Sequence, residues 1–200
     1  MQLSLDYPEV IAKDAYDYGT RSDGGAHGLV LTKPHIVDLI LDLCGYLPSI
    51  DLAGRRLLEP ACGHGAFLLP AIDRLVTSAK THGVQLSSLH DAIVAFDIED
   101  HHVEITRSAI GERLSRHGLH PDSARQLAER WIQRADFLLA PHLGDFDFVV
   151  GNPPYIRIEQ LSPIIQAEYR RRYNTLYDRA DLYVAFIERS LRSLAPKGAV

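Results

Sequence analysis

The chain has 200 residues, 46% hydrophobic and 24% charged, a balance that fits one soluble domain with its own core. A formal charge of −5 argues against a surface that grips duplex DNA by phosphate neutralisation over its whole area, but leaves room for a local basic patch. No apolar run approaches the ~20 residues of a membrane span, the N-terminus lacks a basic region followed by an apolar stretch, and Cys44 and Cys62 are too few for a disulfide framework; a cytoplasmic location is expected.

In chain order, Val10, Ile11 and Ala15 predict a short helix within residues 1–17, and the glycine-rich stretch 18–28 predicts a loop. Pro34 suits the first turn of a helix carrying Ile36, Val37, Leu39, Ile40, Leu41 and Leu43, which stops at the turn from Gly45 to Pro48. Residues 55–60, RRLLEP, read as a short buried strand, and ACGHGAF turns from it into an apolar helix over about 67–79. AIVAFDI, residues 92–98, lacks polar alternation and reads as a strand buried on both faces. Residues 101–117 and 121–134 are expected to be helical, broken at HGLHPD. FDFVVGNPP is a third clear strand ending in a turn. DLYVAFIERSLRSL predicts an amphipathic helix stopped by APKG, and residues 198–200 read as the start of another strand. Strands alternating with helices predict an α/β fold, a parallel sheet covered on both faces, with ligands beyond the carboxyl ends of its strands.

Each chemical motif falls at such an end. Gly63 and Gly65 in LLEPACGHGAFL permit a tight turn and close ligand approach, and the helix that follows directs free N–H groups toward a ligand. The loop lacks the Gly-Lys-Ser/Thr ending of a P-loop, and Glu59 at the strand end suits an amino-bearing ligand rather than a polyphosphate. Cys62 and His64 alone do not make a metal site. Asp97, at the end of the second strand, can accept ribose hydroxyls, or can be a solvated acid. Asp136 can accept from an adenine amino group with Phe137 against the ring, or ADF can be a strand end with a core phenylalanine.

VVGNPPYI, residues 149–156, is the most informative stretch. Two prolines stiffen the backbone and remove N–H donors, leaving carbonyl acceptors, the Asn152 amide and the Tyr155 ring. The exocyclic amine of a base is a poor nucleophile because its lone pair is delocalised into the ring. Donation of its two N–H groups to the Asn152 side-chain oxygen and the Pro153 carbonyl would localise that pair for attack on a sulfonium methyl. Tyr155 would stack on the base, which has to be flipped out of a duplex to reach the pocket.

In these motifs and their order, the chain resembles the DNA amino-methyltransferases that use S-adenosylmethionine and whose cofactor motif precedes the catalytic one. The resemblance implies a Rossmann-like class I methyltransferase fold and adenine-N6 methylation of double-stranded DNA, in restriction-modification or phage defence. It implies that Thr32, in GLVLTKPHIVDLIL, binds the cofactor carboxylate, and that Glu59, Ala61, Gly63 and Gly65 form the methionine-binding loop. Asp97 would hold the ribose with Ile98 against the adenine, and Asp136 and Phe137 would meet the adenine edge. Asn152, Pro153 and Tyr155 would be catalytic, and Asn152 together with Phe186, in DLYVAFIERSLRSLAPKG, would border the cofactor. Arg157 is the favoured DNA contact among Arg157, Arg170, Arg171, Arg172 and Arg179, whose alternative is a solvated helix face.

The expected organisation is an N-terminal helical segment with the carboxylate motif over 1–48 and a Rossmann-like core over 49–200, without a target-recognition domain. The family's sheet has seven strands and this chain reaches only the start of the fifth. A missing C-terminal region or partner chain is therefore expected, and the strand before Asn152 is expected as an exposed sheet edge. Competing readings are a non-catalytic cofactor- or DNA-binding subunit, an inactive fragment, and an amino-methyltransferase acting on a protein glutamine or on RNA. Cytosine amino-methyltransferases more often begin the catalytic turn with serine, and carbon methylation needs a cysteine nucleophile after a proline, which neither cysteine here supplies.

Overall fold

A computed structural model describes residues 32–141 and 144–200; the helix and loop expected over 1–28 lie outside the described residues. The described elements run α1 (Pro34–Leu43), β1 (Leu57–Glu59), α2 (Leu68–Thr81), β2 (Ile93–Asp97), α3 (Asp100–Arg116), α4 (Pro121–Trp131), β3 (Ile132–Arg134), β4 (Phe146–Val149), α5 (Pro163–Arg172), α6 (Tyr183–Arg192) and β5 (Leu194–Ala199), with short 3-10 turns at Leu86–Ser88 and Ile158–Gln160. The strands form one sheet in the order β3-β2-β1-β4-β5, and every pairing is parallel.

The side-chain period of two divides each central strand between two cores. Leu57, Ile93 and Ala95 belong to one, with Val37 and Leu41 of α1, Ile72 and Leu75 of α2 and Trp131 of α4. Leu58, Val94 and Phe96 belong to the other, with Phe137, Tyr169 of α5, Tyr173 just after it, and Phe186 of α6. Strands buried on both faces read as unbroken apolar runs, which is why alternation is absent from the sequence. On the first face, Arg74 of α2 holds α1 in place: its guanidinium bonds Asp42 Oδ1 at 2.6 Å and the Tyr46 carbonyl at 3.1 Å.

Two expectations need correction. Residues 121–134 are not one helix: α4 ends at Trp131 and Ile132–Arg134 pair with Ala95–Asp97 as β3. Three residues of strand directly abutting a helix leave no period of their own to read. The strand before Asn152 is also not an edge. β5 pairs alongside β4, joining Phe146 to Leu194 and Phe148 to Ala199 across a register shift, so β3 and β5 are the edges of the described sheet. APKG follows the end of α6, and the strand expected to start at 198 starts already at Leu194, so that APKG lies within β5, where Lys197 takes a φ of 74°. An edge strand tolerates Pro196 because its missing N–H costs no ladder bond there. Gly198 is required by contact, since a Cβ at that position would lie 2.9 Å from the Phe146 carbonyl oxygen.

Candidate functional site

β1 and β4 are neighbours in the sheet, so their carboxyl ends and the turns that follow them meet. The β1 turn is built by hydrogen bonds that use its glycines. Cys62 N–H donates to Phe96 O at 2.8 Å and Gly65 N–H to Cys62 O at 2.8 Å, with φ of 50° at Gly63 and 80° at Gly65. Gly63 donates to Asp97 Oδ2 at 2.8 Å, and its carbonyl accepts from Thr106 Oγ1 at 2.7 Å. The turn is thus tied to β2 and α3 at once.

A Cβ on Gly65 would meet Thr106 Cγ2 at 3.2 Å, and its left-handed backbone disfavours any L side chain by roughly 1–2 kcal/mol. Gly65→Ala is therefore expected to lower the melting temperature, by about 2–4 °C per kcal/mol lost. Gly111→Ala, in α3 where a Cβ would meet nothing within 4 Å, is expected to raise it, because alanine gains about 1 kcal/mol of helix propensity. Thermal unfolding of the pair separates backbone strain at the turn from a generic glycine effect.

Asp97 is nearly buried and its carboxylate is well used. Besides Gly63, its Oδ1 accepts from the Glu99 N–H at 2.9 Å and lies 3.3 Å from His102 Nδ1. Three of about four carboxylate acceptor sites are engaged by the protein, so Asp97 braces the loop as well as standing where a ribose acid is expected. His102 packs edge-on against His64 at 4.7 Å between ring centroids. Ile98, beside Asp97, is half-buried.

Glu59 is 1% exposed, and its Oε2 has no hydrogen-bond partner. Burial, with Asp97 nearby, pushes its carboxyl well above the usual carboxylate range. Burial and the same two acids also push the Cys62 thiol up, the opposite of what a thiolate nucleophile needs.

The β4 turn passes over the end of β1: a Cβ on Gly151 would lie 3.5 Å from both Glu59 Cγ and Pro60 Cδ. Between the two turns is a cleft of about 130 Å³ lined by Pro60, Ala61, Gly151, Asn152, Pro153 and Phe186, with Ile40, Ile187 and Ser190 among its other walls. Ala61, Asn152, Pro153 and Phe186 therefore come together. Tyr155 stands outside, 56% exposed, its hydroxyl donating to Asn152 Oδ1 at 3.0 Å and its ring 6.0 Å from that of Tyr183. The chain after the turn is stitched to the approach to α6, with Ile158 N–H donating to Ala180 O and Leu182 N–H to Ile156 O.

Asp136 and Phe137 follow β3. Asp136 Oδ2 accepts from the Tyr169 hydroxyl at 2.5 Å and Oδ1 from the Leu138 N–H at 2.8 Å. Phe137 is buried between Phe96 and Phe186, with centroids at 5.7 and 5.5 Å, and the Arg189 guanidinium lies 4.8 Å from its ring. Thr32 is half-buried two residues before α1 and does not line the cleft.

The arginines after the turn divide. Arg171 and Arg172 pair with Glu168, and those guanidinium hydrogen bonds pull its carboxyl down to about 2. Arg170 donates to the Asp178 carbonyl. Arg171 and Arg172 thus pair within α5 and Arg170 ties it to the loop at Asp178, whereas Arg157 is exposed beside the β4 turn. His102, Thr106, Tyr169 and Tyr183 also brace these segments, and of the four only His102 carries a signal in the sequence, in the first helical turns after an acid at a strand end.

A family model described as Eco57I restriction-modification methylase matches residues 91–200. The chain is 47% identical over 182 residues to the type II methyltransferase M.PaeR7I of Pseudomonas aeruginosa, covering 88% of this chain and 32% of that protein. It is 47% identical over 175 residues to M.XhoI of Xanthomonas vasicola, covering 86% and 32%. The chain thus spans about a third of the length of these relatives. A structure described as a class I S-adenosylmethionine-dependent methyltransferase, from Listeria monocytogenes, superposes with a TM-score of 0.56 over 95% of this chain and 51% of its own, at 16% identity. That likeness establishes the shared Rossmann-like fold.

Proposed function

The chain belongs to the Eco57I restriction-modification methylase family, and from that premise we propose that it carries the cofactor-binding and catalytic turns of a DNA methyltransferase acting on the exocyclic N6 amine of adenine. The observation that carries this reading is the shared cleft: Ala61 of the glycine turn and Asn152 and Pro153 of the β4 turn line the same walls.

The chain's donors and acceptors fit S-adenosylmethionine. Glu59 Oε2 is a buried acceptor lacking a protein partner, and such an atom is costly unless a ligand donor reaches it; an amino acid ammonium is that donor. Gly63 and Gly65 keep side chains away from the ligand, Ala61 and Phe186 supply apolar walls, and Asp97, Ile98, Asp136 and Phe137 serve a nucleoside. Thr32 is assigned to the carboxylate. When bound, the cofactor supplies an electrophilic methyl group.

The remaining work belongs to the protein. Asn152 Oδ1 and the Pro153 carbonyl accept from the target amine and concentrate its lone pair on nitrogen. The two prolines hold these acceptors without a conformational cost at the moment of reaction. Tyr155, exposed at the rim, offers a ring for the flipped base, and Arg157 offers a charge to the DNA backbone.

The test is calorimetric titration of the chain with S-adenosylmethionine, followed by transfer of labelled methyl to unmethylated DNA and nucleoside analysis. Binding and N6-methyladenine are expected. Labelled N4-methylcytosine would reassign the base. Binding without transfer would assign these 200 residues the cofactor half of an activity completed by further polypeptide, and no binding would end the proposal.

A further inference from the structure

We infer that Tyr169 is a positioning residue: its hydroxyl, fixed on α5, keeps the Asp136 carboxylate in place as an acceptor for the exocyclic amine of a bound adenine. The inference rests on the reading of Asp136 as the adenine-edge residue.

Tyr169 is 1% exposed, so its hydroxyl has no role toward solvent, and it reaches Asp136 Oδ2 at 2.5 Å from 33 residues away. The Leu138 N–H occupies the other oxygen. A carboxylate has about four acceptor sites, so each oxygen keeps capacity for a ligand donor while its rotation is blocked.

The surrounding contacts show a segment suspended from two helices. Tyr173 donates to the Leu138 carbonyl at 2.5 Å, Arg172 to the Leu139 carbonyl at 3.0 Å, and Arg189 to the carbonyls of Ala140 and Pro141 at 2.5 and 3.0 Å. All of these hold backbone. Tyr169 alone among them holds the side chain of a candidate ligand residue.

The hydroxyl has an electrostatic consequence as well. Burial raises the Asp136 carboxyl above its ordinary range, and the Tyr169 bond is the foremost influence opposing that rise. Without it the protonated form gains ground. A protonated carboxyl donates, and so loses its preference for an amine over a carbonyl at the same ring position.

The probes are S-adenosylhomocysteine and its 6-oxo (hypoxanthine) analogue, each titrated into the 200-residue chain. The unaltered chain is expected to prefer the adenine form. Tyr169→Phe removes one oxygen from a packed ring and is expected to lower that preference by about three- to tenfold, with thermal unfolding confirming the fold. Tyr173→Phe removes the neighbouring hydroxyl from the same segment and is expected to leave the preference unchanged, any loss of affinity falling equally on both ligands. Asp136→Ala is expected to abolish the preference. If Asp136→Ala abolishes it while Tyr169→Phe preserves it, or if Tyr173→Phe lowers it as much as Tyr169→Phe, the positioning role is overturned and the reading of Asp136 stands. A chain that binds neither ligand, shows no preference, or keeps its preference in Asp136→Ala overturns the Asp136 reading and this inference with it.

Discussion

Asn152→Ala is expected to reduce methyl transfer by about 10²–10³-fold, the usual consequence of losing one transition-state hydrogen-bonding group, or about 2.7–4 kcal/mol. Cofactor affinity should change by no more than several-fold, because the groups assigned to hold the cofactor's ammonium and ribose, Glu59 and Asp97, lie at the ends of other strands. The substitution removes the Oδ1 acceptor, which now takes the Tyr155 hydroxyl at 3.0 Å. On the proposed mechanism a target amine takes that donor's place, and Tyr155 is expected to release Asn152 when the base arrives. Tyr155→Phe keeps the ring and deletes the displaced donor, and is expected to retain most of the transfer rate. Single-turnover transfer measured beside calorimetric cofactor binding separates the two roles. A near-normal rate in Asn152→Ala would remove Asn152 from the chemistry, whatever the chain binds.

The parallel α/β architecture was legible because its evidence is local. LLE and IVAFD are apolar runs, and each ends at a glycine turn or an acid. β3 was not legible: three residues with one exposed and one half-buried side chain carry too little pattern beside a helix that ends at Trp131. β5 is legible only at its end, from residue 198, because APKG before it has the composition of a stop signal. Its proline and its positive φ at Lys197 fall where the described sheet has its edge and the pairing with β4 shifts register. Those are tertiary facts.

The candidate site divides in the same way. The glycine turn and NPPY announce themselves because each needs unusual backbone chemistry. Tyr169 could not be found: a tyrosine in a run of arginines reads as surface, and only the helix direction brings it to Asp136. The arginine run was readable as either a DNA face or a solvated face. In the fold Arg171 and Arg172 pair with Glu168 and Arg157 is exposed, a division set by three- and four-residue spacing on α5.

Glu59→Gln is expected to make the protein more stable and less able to bind its cofactor. The carboxyl is buried at the end of the central strand with one oxygen unpartnered, and burial raises its pKa well above 4.5. In the unfolded chain the same group ionises near its ordinary value. The folded state therefore binds more protons between these two points, and stability falls as pH rises from about 4.5 through the folded-state value. Below that window the group contributes no penalty, and above it the penalty is fully present. Glutamine cannot ionise, so the variant should lack this slope and melt higher at neutral pH, by about 2–4 °C for each kcal/mol recovered. The same change removes the anion assigned to the cofactor's ammonium, and truncating one partner of a buried charge pair costs about 2–5 kcal/mol of binding. Melting curves across pH 4 to 9, in variant and unaltered chain, test the first half, and S-adenosylmethionine titration tests the second. A variant that melts lower at neutral pH, or binds as tightly as before, would show that Glu59 is a structural acid whose partner the fold already supplies.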